Sequence, residues 1–243
     1  VRIDNLSEVA RLFSNLKPAE AIEYARQGLK LSEKIGYKKG ISMNLNSLGK
    51  VHTTIGNFDS ALVYFEKRLV FVQKTKDTLE IASAKDNLSI IHLYKGNYDK
   101  ALEIRKETNN IYKKEGALTN LASGNIWVGN IYLSQDKYDT ALLFYLEAKK
   151  LYEQNNDPAL ANALINIGTV YRRMKHYEQA IDNLERSKEL FAGKGDLNGV
   201  GASLYRIAGI YYDMKDRDKY LETLYKAEEI LTNVGNEYFL SLI

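Results

Sequence analysis

Residues 41–76 read ISMNLNSLGKVHTTIGNFDSALVYFEKRLVFVQKTK. Ile41, Leu45, Leu48, Val51 and His52 recur at three- and four-residue spacing, which places them on one face of a helix. Gly49 interrupts that face with a residue that has no side chain. Gly56-Asn57 ends the helix, because glycine readily takes the left-handed conformation found just past a helix C-terminus. Asp59 or Ser60 is expected to cap the next helix. Ala61, Leu62, Phe65, Leu69 and Val72 then form a second apolar stripe. The stretch predicts a helix, a tight turn and a second helix.

The rest of the chain repeats this unit. The alanine that opens the second stripe recurs as Ala21, Ala61, Ala101, Ala141 and Ala180, with Tyr220 in sixth place, at separations of 40, 40, 40, 39 and 40. The small residue of the first helix is Ala10, Gly49, Ser89, Gly129, Gly168 and Ala208. Three places later stand Phe13, His52, His92, Tyr132, Tyr171 and Tyr211. Ten places past the alanine column stand Leu31, Phe71, Ile111, Leu151, Leu190 and Ile230. Small residues allow two antiparallel helices to approach closely, and the aromatics are expected to fill the wedge between one hairpin and the next. No hairpin buries its apolar faces alone, so neighbours must stack. The prediction is one all-α solenoid domain over 1–243. Its repeats fall near 1–38, 39–78, 79–118, 119–157, 158–197 and 198–237, and 238–243 begin a further helix. Because that last stretch is apolar where a terminal repeat is normally polar, the native chain is expected to continue past it, the alternative being that the segment folds back as a short cap.

The segments Leu48-Gly49…His52…Ala61, Val128-Gly129…Tyr132…Ala141 and Ile167-Gly168…Tyr171…Ala180 resemble the tetratricopeptide repeat. The resemblance covers essentially the whole chain as six units and implies a right-handed superhelix. Two features depart from the family pattern. The usual tryptophan three places before the leucine-glycine pair is replaced by Leu45 or Leu164, and the period is 40 rather than the family's usual length of about 34. The longer form is similar to the subgroup in peptide-sensing bacterial regulators and some eukaryotic adaptors. Gly56-Asn57-Phe58-Asp59 and Gly96-Asn97-Tyr98-Asp99 also look like repeat regions of exported sensor kinases from Bacteroidetes.

Composition narrows the function. The chain carries 34 basic and 31 acidic residues, interspersed, for a net charge of +3. That balance does not make a nucleic-acid footprint. No apolar run approaches the ~18 residues of a membrane span, so no membrane contact is expected. Cysteine is absent, which removes disulfides, thiolate metal sites and a cysteine nucleophile. Val1 follows no signal-peptide pattern; the expectation is a removed leader or an excised fragment, and periplasm and cytoplasm both fit.

Catalytic constellations are not found. His52 and His92 share a column that holds tyrosine elsewhere, so they read as packing rather than as a metal ladder. Gly193-Lys194-Gly195 follows a helix rather than a strand and reads as an inter-repeat turn, not a phosphate loop. No enzyme activity, metal or cofactor is expected.

The resemblance implies that first helices line a concave groove. The residues there that the packing stripe does not claim are Asn46, Lys50, Asn87, Asn130, Asn166, Thr169 and Arg173, with the aromatics Tyr94, Trp127, Tyr205 and Tyr212. Asparagine both donates and accepts, which suits an extended peptide backbone, and arginine can hold a carboxylate bidentately. The expected function is non-enzymatic binding of a peptide or protein segment, as the sensory or regulatory part of a larger signalling protein. The alternative is a structural module that self-associates through its end face at 238–243.

Overall fold

The computed structural model describes residues 2–14 and 16–235. The end face expected at 238–243 lies outside the described residues. Twelve α-helices and no strand occur among the described residues, as the periodicity predicts. They fall into two compact units, Val1–Ala117 and Leu118–Ile243. The first unit holds three hairpins: α1 (Arg2–Phe13) with α2 (Pro18–Lys34), α3 (Lys38–Thr54) with α4 (Phe58–Gln73), and α5 (Thr78–Tyr94) with α6 (Tyr98–Lys114). The second holds α7 (Leu118–Leu133) with α8 (Tyr138–Gln154), α9 (Leu160–Arg173) with α10 (Tyr177–Ala192), and α11 (Leu197–Asp213) with α12 (Arg217–Asn233). Within each unit consecutive helices pack on one another, and first helices of neighbouring hairpins touch, α1 with α3 and α9 with α11. Each unit is therefore a short α-solenoid.

The turns inside the hairpins from α3–α4 to α11–α12 share one design. Gly56 and Gly96 have φ of 73° and 76°, and their column continues as Asp136, Lys175 and Lys215 at 56°, 62° and 62°. At the first of them, the Asn57 N–H reaches the His52 carbonyl at 2.8 Å and the Gly56 N–H reaches Thr53 at 3.0 Å. These two bonds satisfy carbonyls that the helix end leaves orphaned. The N-cap of α4 is Asn57, whose side chain accepts from the Ser60 N–H at 3.1 Å. The expectation of Asp59 or Ser60 there is corrected by two or three residues: the turn is tight enough that the residue after the glycine already caps. Residues 193–196 form the turn between α10 and α11, with Gly195 at φ 70°.

The small column has a partner that the repeat pattern does not announce. A Cβ on Gly49 would stand 2.3 Å from the Phe65 ring, one on Gly129 2.4 Å from Tyr145, and one on Gly168 2.8 Å from Leu184. In the remaining hairpin of this type Ser89 faces Arg105, whose Nε donates to its hydroxyl at 3.1 Å. The small residue thus receives a large side chain 16 positions on, rather than only letting two helix backbones meet. The aromatic column also does more than fill wedges between hairpins. His52 stacks on Tyr64 with ring centroids 5.4 Å apart, and Tyr132 on Phe144 at 5.6 Å, each inside its own hairpin. Tyr171 does bridge, packing on the cluster of Ala180, Leu184, Ile207 and Ile210.

The first unit also buries a charged network. Arg105, 1% exposed, pairs with Asp86 at 2.7 Å. Thr108 and Tyr112 hydroxyls donate to the two carboxylate oxygens of Asp86 at 2.7 and 2.8 Å. Four side chains from α5 and α6 are satisfied by one another, which is the condition for charge inside a core.

The histidine column is expected to make the first unit sensitive to acid. Neither ring nitrogen of buried His52 has a hydrogen-bond partner, nor does Nδ1 of His92. Burial, then Arg26, pushes the His52 pKa down; burial, then Lys100 and Lys95, does the same to His92 against the opposing pull of Glu66. A histidine whose folded pKa lies below its unfolded value of about 6.5 binds protons more readily when unfolded. Its contribution is present above pH ~6.5 and is lost as pH falls through the folded pKa. Urea midpoints should therefore drop between pH 7.5 and 5.5. Replacing both histidines with tyrosine, the residue this column holds elsewhere, should remove most of that drop; an unchanged pH dependence would contradict this origin.

Candidate functional site

In the first unit, α3 carries Asn46 and Lys50 one turn apart and α5 carries Asn87. The Asn87 side-chain amide donates to Asn46 Oδ1 at 2.8 Å, so the two candidates bridge neighbouring first helices. Lys50 and Asn87 line a cleft of about 240 Å³ whose apolar walls are Phe65 and Ile90. Lys50 keeps much of its surface in solvent. Desolvation of its ammonium, then the like charges of Arg68 and Arg11, nonetheless hold it below the ordinary lysine range. Arg68 is buried, and its Nε donates to the Ser42 hydroxyl at 3.2 Å; Ser42 in turn donates to Glu80 at 2.6 Å. A carboxylate entering this cleft would meet a positive field and amide groups able to donate or accept. Tyr94 stands apart, stacked on Phe58 at 5.5 Å and half exposed.

In the second unit the candidates fall into separate places. Trp127 and Asn166 line a small cleft of about 90 Å³ with Tyr152 behind them. Asn130 is engaged inside its hairpin, where its Oδ1 accepts the Tyr145 hydroxyl at 2.7 Å. That bond accompanies a tyrosine pushed well above its ordinary pKa by burial. Thr169 and Arg173 line a cleft of about 520 Å³ together with Arg172, Lys175, Tyr177 and Asp213, and the Thr169 hydroxyl is spent on the Ile165 carbonyl at 2.8 Å. Tyr205 and Tyr212 line an adjoining cleft of about 270 Å³ that also includes Arg172 and Arg206.

Arg172 and Asp213 are the site residues that sequence reading passed over. Arg172 Nε donates to Asp213 Oδ2 at 2.6 Å, and Nη2 to Oδ1 at 3.1 Å. The fork reaches from α9 across Gly209 of α11, where a Cβ would stand 2.7 Å from Nη1. The hydrogen bond from Arg172, then its charge and that of Arg173, hold the Asp213 carboxyl below its ordinary pKa. A signal was available. Asn46 and Asn87 are 41 residues apart, and so are Arg172 and Asp213, one more than the repeat. These two polar pairs between neighbouring first helices lie on that diagonal, one place off the columns. Among the described residues no cluster of three or more histidines or carboxylates could hold a metal ion, and no helix is long and apolar enough to cross a membrane.

The tetratricopeptide repeat family model matches residues 120–192. No curated protein matches the sequence. Among solved structures, the chain is similar to BtubC (BKLC) from P. vanneervenii at 17% identity and a TM-score of 0.69, covering 97% of this chain and 93% of that one. A Rap protein complexed with competence and sporulation factor is similar at 16% identity and a TM-score of 0.70, covering 97% of this chain and 66% of that one. A STAND-class signal-transduction ATPase from Pyrococcus horikoshii with a tetratricopeptide repeat sensor is similar at 18% identity and a TM-score of 0.68; this chain is covered over 99% of its length, the ATPase over 37%. At these identities the likeness is one of fold.

Proposed function

Since this chain folds as tetratricopeptide repeats, we propose that it is a non-enzymatic scaffold whose first helices bind a peptide or protein segment, as the sensory or regulatory part of a larger signalling protein. The observation that carries the reading is the convergence of polar side chains from neighbouring first helices, above all the Asn46–Asn87 bridge beside Lys50. Asparagine pairs of this kind offer amide donors and acceptors to a peptide backbone without demanding one side chain. The cations Lys50 and Arg173 favour a ligand with negative charge. The kinship of fold with a sensor region and with a Rap protein captured with its factor supports a signalling context.

A modest interface of this type binds near the micromolar scale, about −8 kcal/mol. Binding should weaken with added salt, because the cations are reached by solvent. The experiment is to recover a partner by peptide array or pull-down, then titrate it calorimetrically against Asn87→Ala/Asn166→Ala and against Arg173→Ala. A loss of about tenfold in affinity for either is expected, equal to ~1.4 kcal/mol. A partner held as tightly by both variants would move the site off the first helices.

A further inference from the structure

We propose that the ends of α9 and α11 form a two-part subsite for an extended peptide carrying an acidic side chain and, two residues on, an aromatic one, and that Asp213 holds the acidic position while the site is empty. This rests on the peptide-binding reading and names the chemistry of the ligand. The acidic half is the cleft of about 520 Å³ lined by Arg172, Arg173, Lys175 and Asp213. Three cations face one carboxylate. Among the described residues Arg173 and Lys175 make no ion pair, while Arg172 spends its fork on Asp213. A planar guanidinium already presenting both N–H groups to a carboxylate is built for that group, and Asp213 shows the geometry an incoming carboxylate would adopt. Gly209 makes this possible, since any side chain there would push the guanidinium away from α11.

The aromatic half lies directly beside it and shares Asp213. It is a cleft of about 550 Å³ walled by Tyr212 and Tyr220, with Lys215 and Arg217 at its rim. The two rings meet edge to face at 5.5 Å, and Tyr212 is 67% exposed. A tyrosine pair with one exposed ring, Tyr212, and one half-buried ring, Tyr220, flanked by cations, favours a further ring through edge contacts and cation–π attraction. In an extended peptide, residues i and i+2 point the same way, so one strand can fill both halves.

The test uses terminally blocked heptapeptides with Glu-X-Phe, Gln-X-Phe or Glu-X-Ala at their centre, titrated by fluorescence anisotropy. Glu-X-Phe should bind about tenfold tighter than either control. Arg172→Ala/Arg173→Ala should erase the preference for glutamate. Gly209→Ala, where the displaced group is the flexible end of Arg172, should weaken it in a protein whose circular dichroism is unchanged. Asp213→Asn should strengthen Glu-X-Phe binding several-fold by removing the resident competitor. Equal binding of the Glu and Gln peptides, or weaker binding by Asp213→Asn, overturns the subsite. If Asn87→Ala/Asn166→Ala still disrupts a separately recovered partner, the broader groove reading survives that result. If the Arg172 and Arg173 effects appear while the asparagine variants do nothing, the subsite stands and the binding surface contracts to the ends of α9 and α11.

Discussion

Asp86→Ala is expected to cost the first unit about 3–5 kcal/mol, the loss typical of removing one member of a buried ion pair. Arg105 is buried to 1% exposure, and burial alone drives its pKa down; the Asp86 charge is the largest opposing influence. Removing the carboxylate leaves the guanidinium with the Ser89 hydroxyl and the residue-86 carbonyl, at 3.1 Å each, but without its counter-charge. Thr108 and Tyr112 lose their bonds to the Asp86 oxygens at the same time. The compensating design is Asp86→Ala/Arg105→Met. That pair removes both charges and should recover a large part of the loss, because well-packed apolar groups often replace a buried pair at little cost. Urea unfolding followed by circular dichroism measures all three proteins. A single-variant loss under ~1 kcal/mol, or a double variant less stable than Asp86→Ala, would show that the pair does not hold α5 to α6 through its charge.

The fold was legible because it repeats and the network was not because it does not. Ala61, Ala101 and Ala141 announce themselves by recurring with the same identity at a fixed interval. The residue that fills the space beside the small column is Phe65, Arg105, Tyr145 and Leu184 in successive hairpins. These share a position and a volume requirement but no chemistry, so a search for recurring types overlooks them. Asp86 and Arg105 stand 19 apart, on opposite helices of one hairpin, and no period connects them. The candidate site was legible in part for a related reason. Columns identify which helix a residue is on, yet the Asn46–Asn87 and Arg172–Asp213 pairs join residues 41 apart, one place off any column. Asn46 and Asn87 were found as individual residues and prove to be partners. Arg173 stands out in the sequence as a first-helix arginine that the packing stripe does not claim, whereas the neighbouring Arg172 carries the fork onto Asp213.

Gly168→Leu should destabilise the second unit by about 1–3 kcal/mol or more through overpacking. A Cβ at this position already stands 2.8 Å from Leu184 Cγ and 3.1 Å from the Ala180 carbonyl oxygen. The first contact can be relieved by turning a side chain. The second is with backbone, so α9 and α10 must part, and the fully buried Leu184 and Ala180 lose packing on their neighbours Ile207 and Ile210. Gly168→Ala adds the Cβ alone and should fall between wild type and leucine, its improved helix propensity partly offsetting the squeeze. Lys194→Ala serves as the control. Its ammonium donates to the Pro158 carbonyl at 3.0 Å on an exposed turn, and truncating it should change stability by no more than about 0.5 kcal/mol. Thermal melts separate the outcomes. Equal midpoints for Gly168→Leu and Lys194→Ala would mean that α9 can shift away from α10 without penalty, and the small column would lose its role in setting the distance between the two helices.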